Sequence, residues 1–366
     1  MQNTACTKYK RAKTQKQKYV RGAHNLKNKI LKITASLLLL CIACALAFDR
    51  SNVFADASEN EGEEQKKDYI KWAELTVCDE AMEEALKLDI KNKNDSDGSI
   101  TLVRLLSLYS AVKGGNYENY KKGDIEKLCT RLQNGESEQD ICKNAKLLSY
   151  YKEVYQAIFG GFVGDHKEWS YNDDGTLANE EQKYGLMLFS PIASGYYYRH
   201  YDDFGNSRSY GYKRKHLGHD LLGSVGTPIV AVEAGTVVAC GWNQYGGWRV
   251  GIRSFDNKRY WYYAHMRKGH PYNDMYVGKT VDAGEVIGYL GMTGYSAKED
   301  TNNIDTPHLH FGLQIIFDES QKDGTNQIWL DMYALTAFLS KNKAEVYSKS
   351  NEKYSKRTIT PNNSPD

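Results

Sequence analysis

The stretch Thr306-Pro307-His308-Leu309-His310-Phe311-Gly312 decides how the rest of this chain is read. It reads as a β-strand. Strand side chains repeat every two residues, so His308 and His310 point to the same face. Two residues of strand rise span roughly 6–7 Å. That is too wide for both imidazoles to bind one small ion comfortably with straight side chains. It suits one histidine on a metal ion and the other reaching the water or substrate beside it.

From Gly226 onward, the runs around this strand are short, β-like and punctuated by glycine. Strands are expected over 228–232, 236–240, 248–253, 260–265, 286–290 and 308–316. Asp256-Asn257 supplies the turn of a hairpin. With spacings this short and no helices between, the sheet should be mainly antiparallel. A closing helix is expected near 330–339, within a segment 321–345. The polar stretch 346–366 reads as a disordered tail.

Upstream, residues 69–162 carry helical period. Ala81, Met82, Ala85 and Leu86 form one apolar stripe, and Leu102, Leu105, Leu106, Tyr109 and Val112 a second. Ile125, Leu128, Cys129 and Leu132 form a third. The fourth runs from Ile141 to Ile158, opened by Ser137-x-x-Asp140 and stopped by Gly160-Gly161. Four amphipathic helices could bury one small core, and none of them carries visible chemistry. They are expected to act as a spacer, as a surface for a cell-envelope protein partner, or as cover for the domain behind. Residues 163–215 lack helical period and are rich in turn formers and tyrosine, as in Gly195-Tyr196-Tyr197-Tyr198-Arg199-His200-Tyr201. They read as lead-in loops, either a packed lid or the wall of a groove.

The formal net charge of +2 conceals an asymmetry. Residues 1–48 hold ten Lys/Arg and no Asp or Glu. Residues 1–32 read as a basic cytoplasmic arm, and the uncharged run Ile33 to Phe48 follows it. Its sixteen residues fall just under the usual 17–25 of a membrane span. The expectation is a transmembrane helix over 33–49, a single-pass anchor in the cell membrane with everything beyond Asp49 outside. The competing outcome is a signal cleaved after Val53-Phe54-Ala55, giving a secreted protein. An acidic linker, 50–68, comes next. The remainder is nearly balanced in charge, so no nucleic acid is expected as a partner. The seven cysteines show no metal-binding or redox spacing.

Three further pieces accompany the His308-x-His310 strand. In His216-Leu217-Gly218-His219-Asp220, a fully extended chain would hold His216 and Asp220 about 13 Å apart. If both bind one ion the chain must turn, and Gly218 is the residue that permits it. Tyr262-Tyr263-Ala264-His265-Met266 is a strand ending in histidine. Gly288-Tyr289-Leu290-Gly291-Met292-Thr293-Gly294 allows a tight loop against a ligand.

Each piece is common alone, but their order and spacing are specific. The series His216-x-Gly218-x-Asp220, Gly226-Thr227-Pro228, Gly235-Thr236-Val237, Tyr263-Ala264-His265-Met266, Gly278-Lys279-Thr280-Val281 and His308-Leu309-His310-Phe311 resembles the LytM/lysostaphin-type zinc metallopeptidases. That family cuts peptides of bacterial cell-wall peptidoglycan. The resemblance covers about 190–316 and implies a peptidase domain over 185–320. It further implies one Zn2+ per chain held by His216, Asp220 and His310. His265 and His308 would then be the catalytic histidines beside the activated water. Three nitrogen and oxygen ligands with a fourth position left for water is the form of a catalytic zinc site. His219 stands where many relatives carry an apolar residue and is not expected to bind the ion.

The expected fold class is therefore α+β and multi-domain: an N-terminal transmembrane helix, a small all-α domain, then a mainly antiparallel β-sheet or sandwich metallopeptidase domain. The expected function is a zinc metalloendopeptidase acting on peptidoglycan peptide outside the membrane. The alternative is a non-catalytic scaffold or activator of the same fold in a division or sporulation complex. A sugar-cleaving enzyme would need a carboxylate pair flanking a groove, and no such pair stands out.

Overall fold

The computed structural model describes residues 69–93, 100–210, 213–324 and 326–365. Its first part is helical: α1 (Asp79–Asn92), α2 (Leu102–Lys113), α3 (Asp124–Gln133), the single turn α4 (Glu138–Ile141) and α5 (Ala145–Phe159). The caps explain the boundaries. Thr101 accepts from Arg104 N at the start of α2, and Asn144 accepts from Leu147 N at the start of α5, each satisfying an amide that has no partner within its helix. The stripe expected to run unbroken from Ile141 is interrupted, because Ser137 caps a separate turn and Asn144 starts a new helix.

Next come β1 (Val163–Tyr171) and β2 (Leu177–Leu186), an antiparallel hairpin. This corrects the reading of 163–215 as loops. The strands escaped notice because they carry little apolar alternation: most of β2 is exposed, and Lys183 pairs with Glu168 across the ladder at 2.7 Å. After them lie β3 (Tyr198–His200), the small hairpin β4 (Ser207–Arg208) and β5 (Arg214–Lys215), and β6 (His219–Gly223). The series continues with β7 (Pro228–Val230), β8 (Gly235–Asn243), β9 (Gly247–Ser254), β10 (Arg259–Ala264), β11 (Thr280–Val281), β12 (Val286–Tyr289), β13 (His308–Ile315) and β14 (Ile328–Trp329). The closing helix is α6 (Tyr333–Leu339). The main sheet runs β11-β8-β9-β10-β13-β6-β3, with β14 also paired to β13. Every ladder in it is antiparallel, as the short spacings require.

The segment 346–366 is not a disordered tail. It forms β15 (Val346–Lys349), β16 (Glu352–Ser355) and β17 (Arg357–Pro361). β17 completes the β1–β2 sheet. Its Ile359 is buried in a small cluster with Phe189, Val230 and Ala283, and that burial fixes the segment. The transmembrane helix also drops out of the fold class. Its expected residues, 33–49, lie outside those described, and no helix among the described residues is long and apolar enough to cross a membrane. What stands is a mainly antiparallel β domain with a helical region before it.

The main sheet separates two environments. On β13, Leu309, Phe311, Leu313 and Ile315 are fully buried on one face. On β10, Trp261 and Tyr263 point the same way, and Trp261 stacks on Phe311 with ring centroids 5.7 Å apart. This face shares one continuous core with Leu105, Tyr155 and Phe159 of the helical region. The opposite face carries His308, His310, Tyr260 and Tyr262, and borders a groove of about 810 Å³.

Candidate metal centre and groove

Strand register brings the functional side chains together. His310 lies directly opposite Asp220 on β6 and opposite Ala264 on β10. Cross-strand partners stand about 4.5–5.5 Å apart, so side chains on the shared face touch. His310 Nδ1 is 3.3 Å from Asp220 Oδ1. His216, just before β6, places its Nε2 2.8 Å from His310 Nδ1 and 3.1 Å from the same Asp220 oxygen. Three ligand atoms, two nitrogens and one oxygen, thus converge on one point. Tetrahedral ligands at 2.0–2.2 Å from an ion lie roughly 3.3–3.5 Å from one another. The observed triangle has sides of 2.8, 3.1 and 3.3 Å, so the group needs to open by about half an ångström to take a small divalent cation.

Gly218 makes this possible in a way the sequence did not indicate. A Cβ there would lie 2.8 Å from His310 Cε1 and 2.7 Å from Phe311 O. Its role is to leave room for the His310 ring rather than to adopt a left-handed turn.

The electrostatics favour a bound cation. Burial works against ionised Asp220, but hydrogen bonds and charge from His216 and His310 outweigh it and hold the carboxyl far below its usual range. Burial likewise opposes a charged His216, yet Asp203 and Asp220 push it up to about 9. Without a metal, a proton occupies this negative pocket, and a cation that binds must displace it.

Two residues absent from the sequence reading complete the group. His216 Nδ1 lies 3.1 Å from both Asp203 Oδ2 and the Asp203 carbonyl oxygen, so it donates there and leaves Nε2 for the ion. Arg208 Nη2 donates to Asp203 Oδ2 and Asp220 Oδ2, each at 2.8 Å. It occupies one oxygen of Asp220 and leaves Oδ1 facing the histidines. Asp203 stands in a turn-rich run beside Asp202 and Arg208 in a two-residue strand, so no periodicity or motif singled them out.

The remaining two histidines flank the triangle. His308 Nδ1 donates to Thr306 O at 2.8 Å, and His265 Nδ1 donates to Thr293 O at 2.8 Å. Each keeps Nε2 for the groove, and their ring centroids are 4.8 Å apart. His265 sits at φ 61°, a left-handed conformation that costs a non-glycine residue energy and is held by its surroundings. Burial, then the neighbouring His308 and His310, keep its imidazole neutral far below the usual pH. All five expected site residues therefore lie together. His219 does not join them: it is fully buried on the other face of β6, with Nδ1 3.2 Å from Tyr201 O and Nε2 3.0 Å from Asp331.

The groove walls are aromatic. Tyr262 lies 5.8 Å from His310 between ring centroids, and Tyr295 lies 5.6 Å from His265. From the β4–β5 hairpin, Tyr210 stacks on Tyr295 at 4.6 Å and Arg214 donates to the Tyr295 hydroxyl at 3.1 Å. The wall is thus built from Tyr245, Tyr260, Tyr262, Tyr295 and Trp329, with Tyr210 backing Tyr295, rather than from the Tyr196–Tyr198 run.

Residues 214–324 match the profile of Peptidase family M23. The chain is 37% identical over 126 residues to an L-Ala–D-Glu endopeptidase of Bacillus subtilis, an alignment covering 34% of this chain and 36% of that protein. It is 39% identical over 97 residues to lysostaphin of Staphylococcus staphylolyticus, covering 26% of this chain and 18% of that one. Among solved structures, the catalytic domain of the antimicrobial peptidase lysostaphin from Staphylococcus simulans is 32% identical. That match covers 32% of this chain and 80% of the domain, with a TM-score of 0.27. The chain thus spans about a third of the first relative and under a fifth of the second.

Proposed function

We infer that this chain, whose residues 214–324 are a peptidase family M23 domain, is a zinc endopeptidase that cuts the peptide part of bacterial cell-wall peptidoglycan. The observation that carries the reading is the convergence of His216 Nε2, Asp220 Oδ1 and His310 Nδ1 beside two further imidazoles in an open groove. The names of the similar proteins, an L-Ala–D-Glu endopeptidase and lysostaphin, support the substrate class.

His216, Asp220 and His310 would hold the zinc. When bound, zinc polarises a carbonyl oxygen and makes water a nucleophile near neutral pH. His265 and His308 do the proton work. Their Nδ1 atoms are tied to backbone carbonyls, so each acts through Nε2, taking a proton from the attacking water or returning one to the leaving amine. A protonated Nε2 also donates to the oxyanion that forms on the scissile carbonyl. Tyr262 and Tyr295 give the substrate flat apolar walls.

The test combines metal analysis with digestion of purified peptidoglycan, products being weighed by mass spectrometry. Wild type should carry about one zinc per chain and release peptide fragments. His310→Ala should lose both metal and activity. His308→Ala should keep the metal and lose about 10²–10⁴-fold in rate. Full activity in His308→Ala, or a wild-type protein that refuses zinc, would remove the proposal.

A further inference from the structure

Two of the three arginines that line the groove are committed. Arg208 is held by Asp203 and Asp220. Arg214 lies against the rings of Tyr245 and Tyr295. Arg249 differs. It is half-buried on β9 and lines the groove, and among the described residues no carboxylate pairs with it. Its Nε is buried without a hydrogen-bond partner. Its one side-chain partner among the described residues is the Tyr260 hydroxyl, so the guanidinium carries a buried donor and a charge with no counter-ion, and an incoming anion would satisfy both.

Register shows where it points. On β9, Gly251 pairs with Tyr262, and Arg249 shares the face of Gly251 two residues away. That is the face carrying Tyr260, Tyr262 and His310. Gly251 lacks a side chain, and the Tyr260 ring fills the space, its hydroxyl 2.2 Å from where a Cβ would stand. The Tyr260 and Tyr262 rings are 6.3 Å apart, and Tyr262 is in turn 5.8 Å from His310. Burial keeps both phenols protonated well beyond neutral pH; the Tyr260 hydroxyl accepts from Arg249 and the Tyr262 hydroxyl from Asn243, so each keeps its own proton to donate to a ligand. β9 is two strands from β13, so Arg249 and His310 are separated by about 10 Å at the backbone. One residue of an extended peptide and its side chain bridge that distance.

We propose that Arg249, with the hydroxyls of Tyr260 and Tyr262, forms a carboxylate-binding subsite that selects peptides bearing a free carboxylate about one residue from the scissile bond. The guanidinium offers two parallel N–H donors to the two oxygens, a geometry that a carboxamide cannot match in charge or in acceptor count. The inference rests on the endopeptidase reading above and names its substrate class: anionic stem peptides in preference to amidated ones.

The experiment uses the full chain and two synthetic stem peptides identical except that one carries a carboxylate, and the other a carboxamide, on the residue next to the scissile bond. Binding is measured by calorimetry on metal-free protein, and cleavage by product analysis on zinc-loaded protein. Wild type should favour the carboxylate peptide by roughly 10–100-fold in both, the value of a charge-assisted hydrogen-bonded pair. Arg249→Met should bring the ratio to about 1, and Arg249→Lys should retain part of it. A wild-type ratio near 1 overturns the subsite, as does an unchanged ratio in Arg249→Met. Failure to cut either peptide counts against the endopeptidase reading, while the binding ratio still judges Arg249.

Discussion

Asp203 acts on the metal group through His216. An imidazole offers one lone pair, and which nitrogen carries it depends on where the other donates its proton. With Nδ1–H directed to Asp203 at 3.1 Å, Nε2 is available 2.8 Å from His310 and 3.1 Å from Asp220. Asp203→Asn preserves size but removes the charge that aligns the ring. Zinc affinity should fall about 10–100-fold, measured by competition with a chromophoric chelator. An affinity equal to wild type would show that the Asp203 contact does not orient the ligand. The gathering of His216, Asp220, His265, His308 and His310 was legible in the sequence because their spacing matched a known series. Asp203 and Arg208 were not, since a supporting contact leaves no period and depends on how two loops meet.

At the scale of elements, what could be read ahead followed burial. β8, β9, β10 and β13 each hide an apolar face, so alternation announced them, and β13 appeared where the paired histidines implied. β1 and β2 hide little and are rich in charge, and β17 is five residues with Ile359 as its one aliphatic, so nothing distinguished them from loops until their pairing was seen. The edge strand β3 holds a further signal of tertiary origin. His200 packs edge-on against His219 at 4.9 Å and lies tilted against Tyr333 at 4.5 Å, and its Nε2 is buried without a partner. Burial, then the neighbouring His219, lower its pKa to about 4, while Asp203 and Asp331 pull weakly the other way. Above about pH 6.5 the ring is neutral folded or unfolded, and no stability is lost. Between about 6.5 and 4 the unfolded chain takes a proton that the folded one refuses. Stability should therefore fall with pH across this window, by at most about 1.4 kcal/mol per pH unit from this group. Denaturant unfolding at pH 7 and pH 5 checks it: His200→Gln should lose less stability between the two than wild type. Equal losses would mean that β3 is not sensitive to this proton.

At the scale of the whole molecule, the helical region is not an appendage to the sheet. Its buried side chains and those behind β10 and β13 form one cluster. A polar joint crosses the same boundary. Arg259, 1% exposed, donates Nε to Glu233 at 2.9 Å, and its Nη1 donates to Ala157 O at the end of α5 at 2.7 Å. Trp261 Nε1 donates to the same carboxylate oxygen, Glu233 Oε2, over 2.7 Å. Gly161 leaves space for this joint, since a Cβ there would lie 2.3 Å from Arg259 Nη2 and 2.6 Å from Glu233 Oε1. Removing one member of a buried pair strands the other charge out of water, at a cost of about 3–5 kcal/mol. Arg259→Met should therefore destabilise the protein by that amount and release a carbonyl of α5. Because the core is shared, helices and sheet should still unfold together, so far-ultraviolet circular dichroism and tryptophan fluorescence should give coincident transitions in wild type. An early loss of helical signal in wild type would divide the molecule into two independent bodies, and the Arg259–Glu233 joint would then be a contact between them rather than part of a common core.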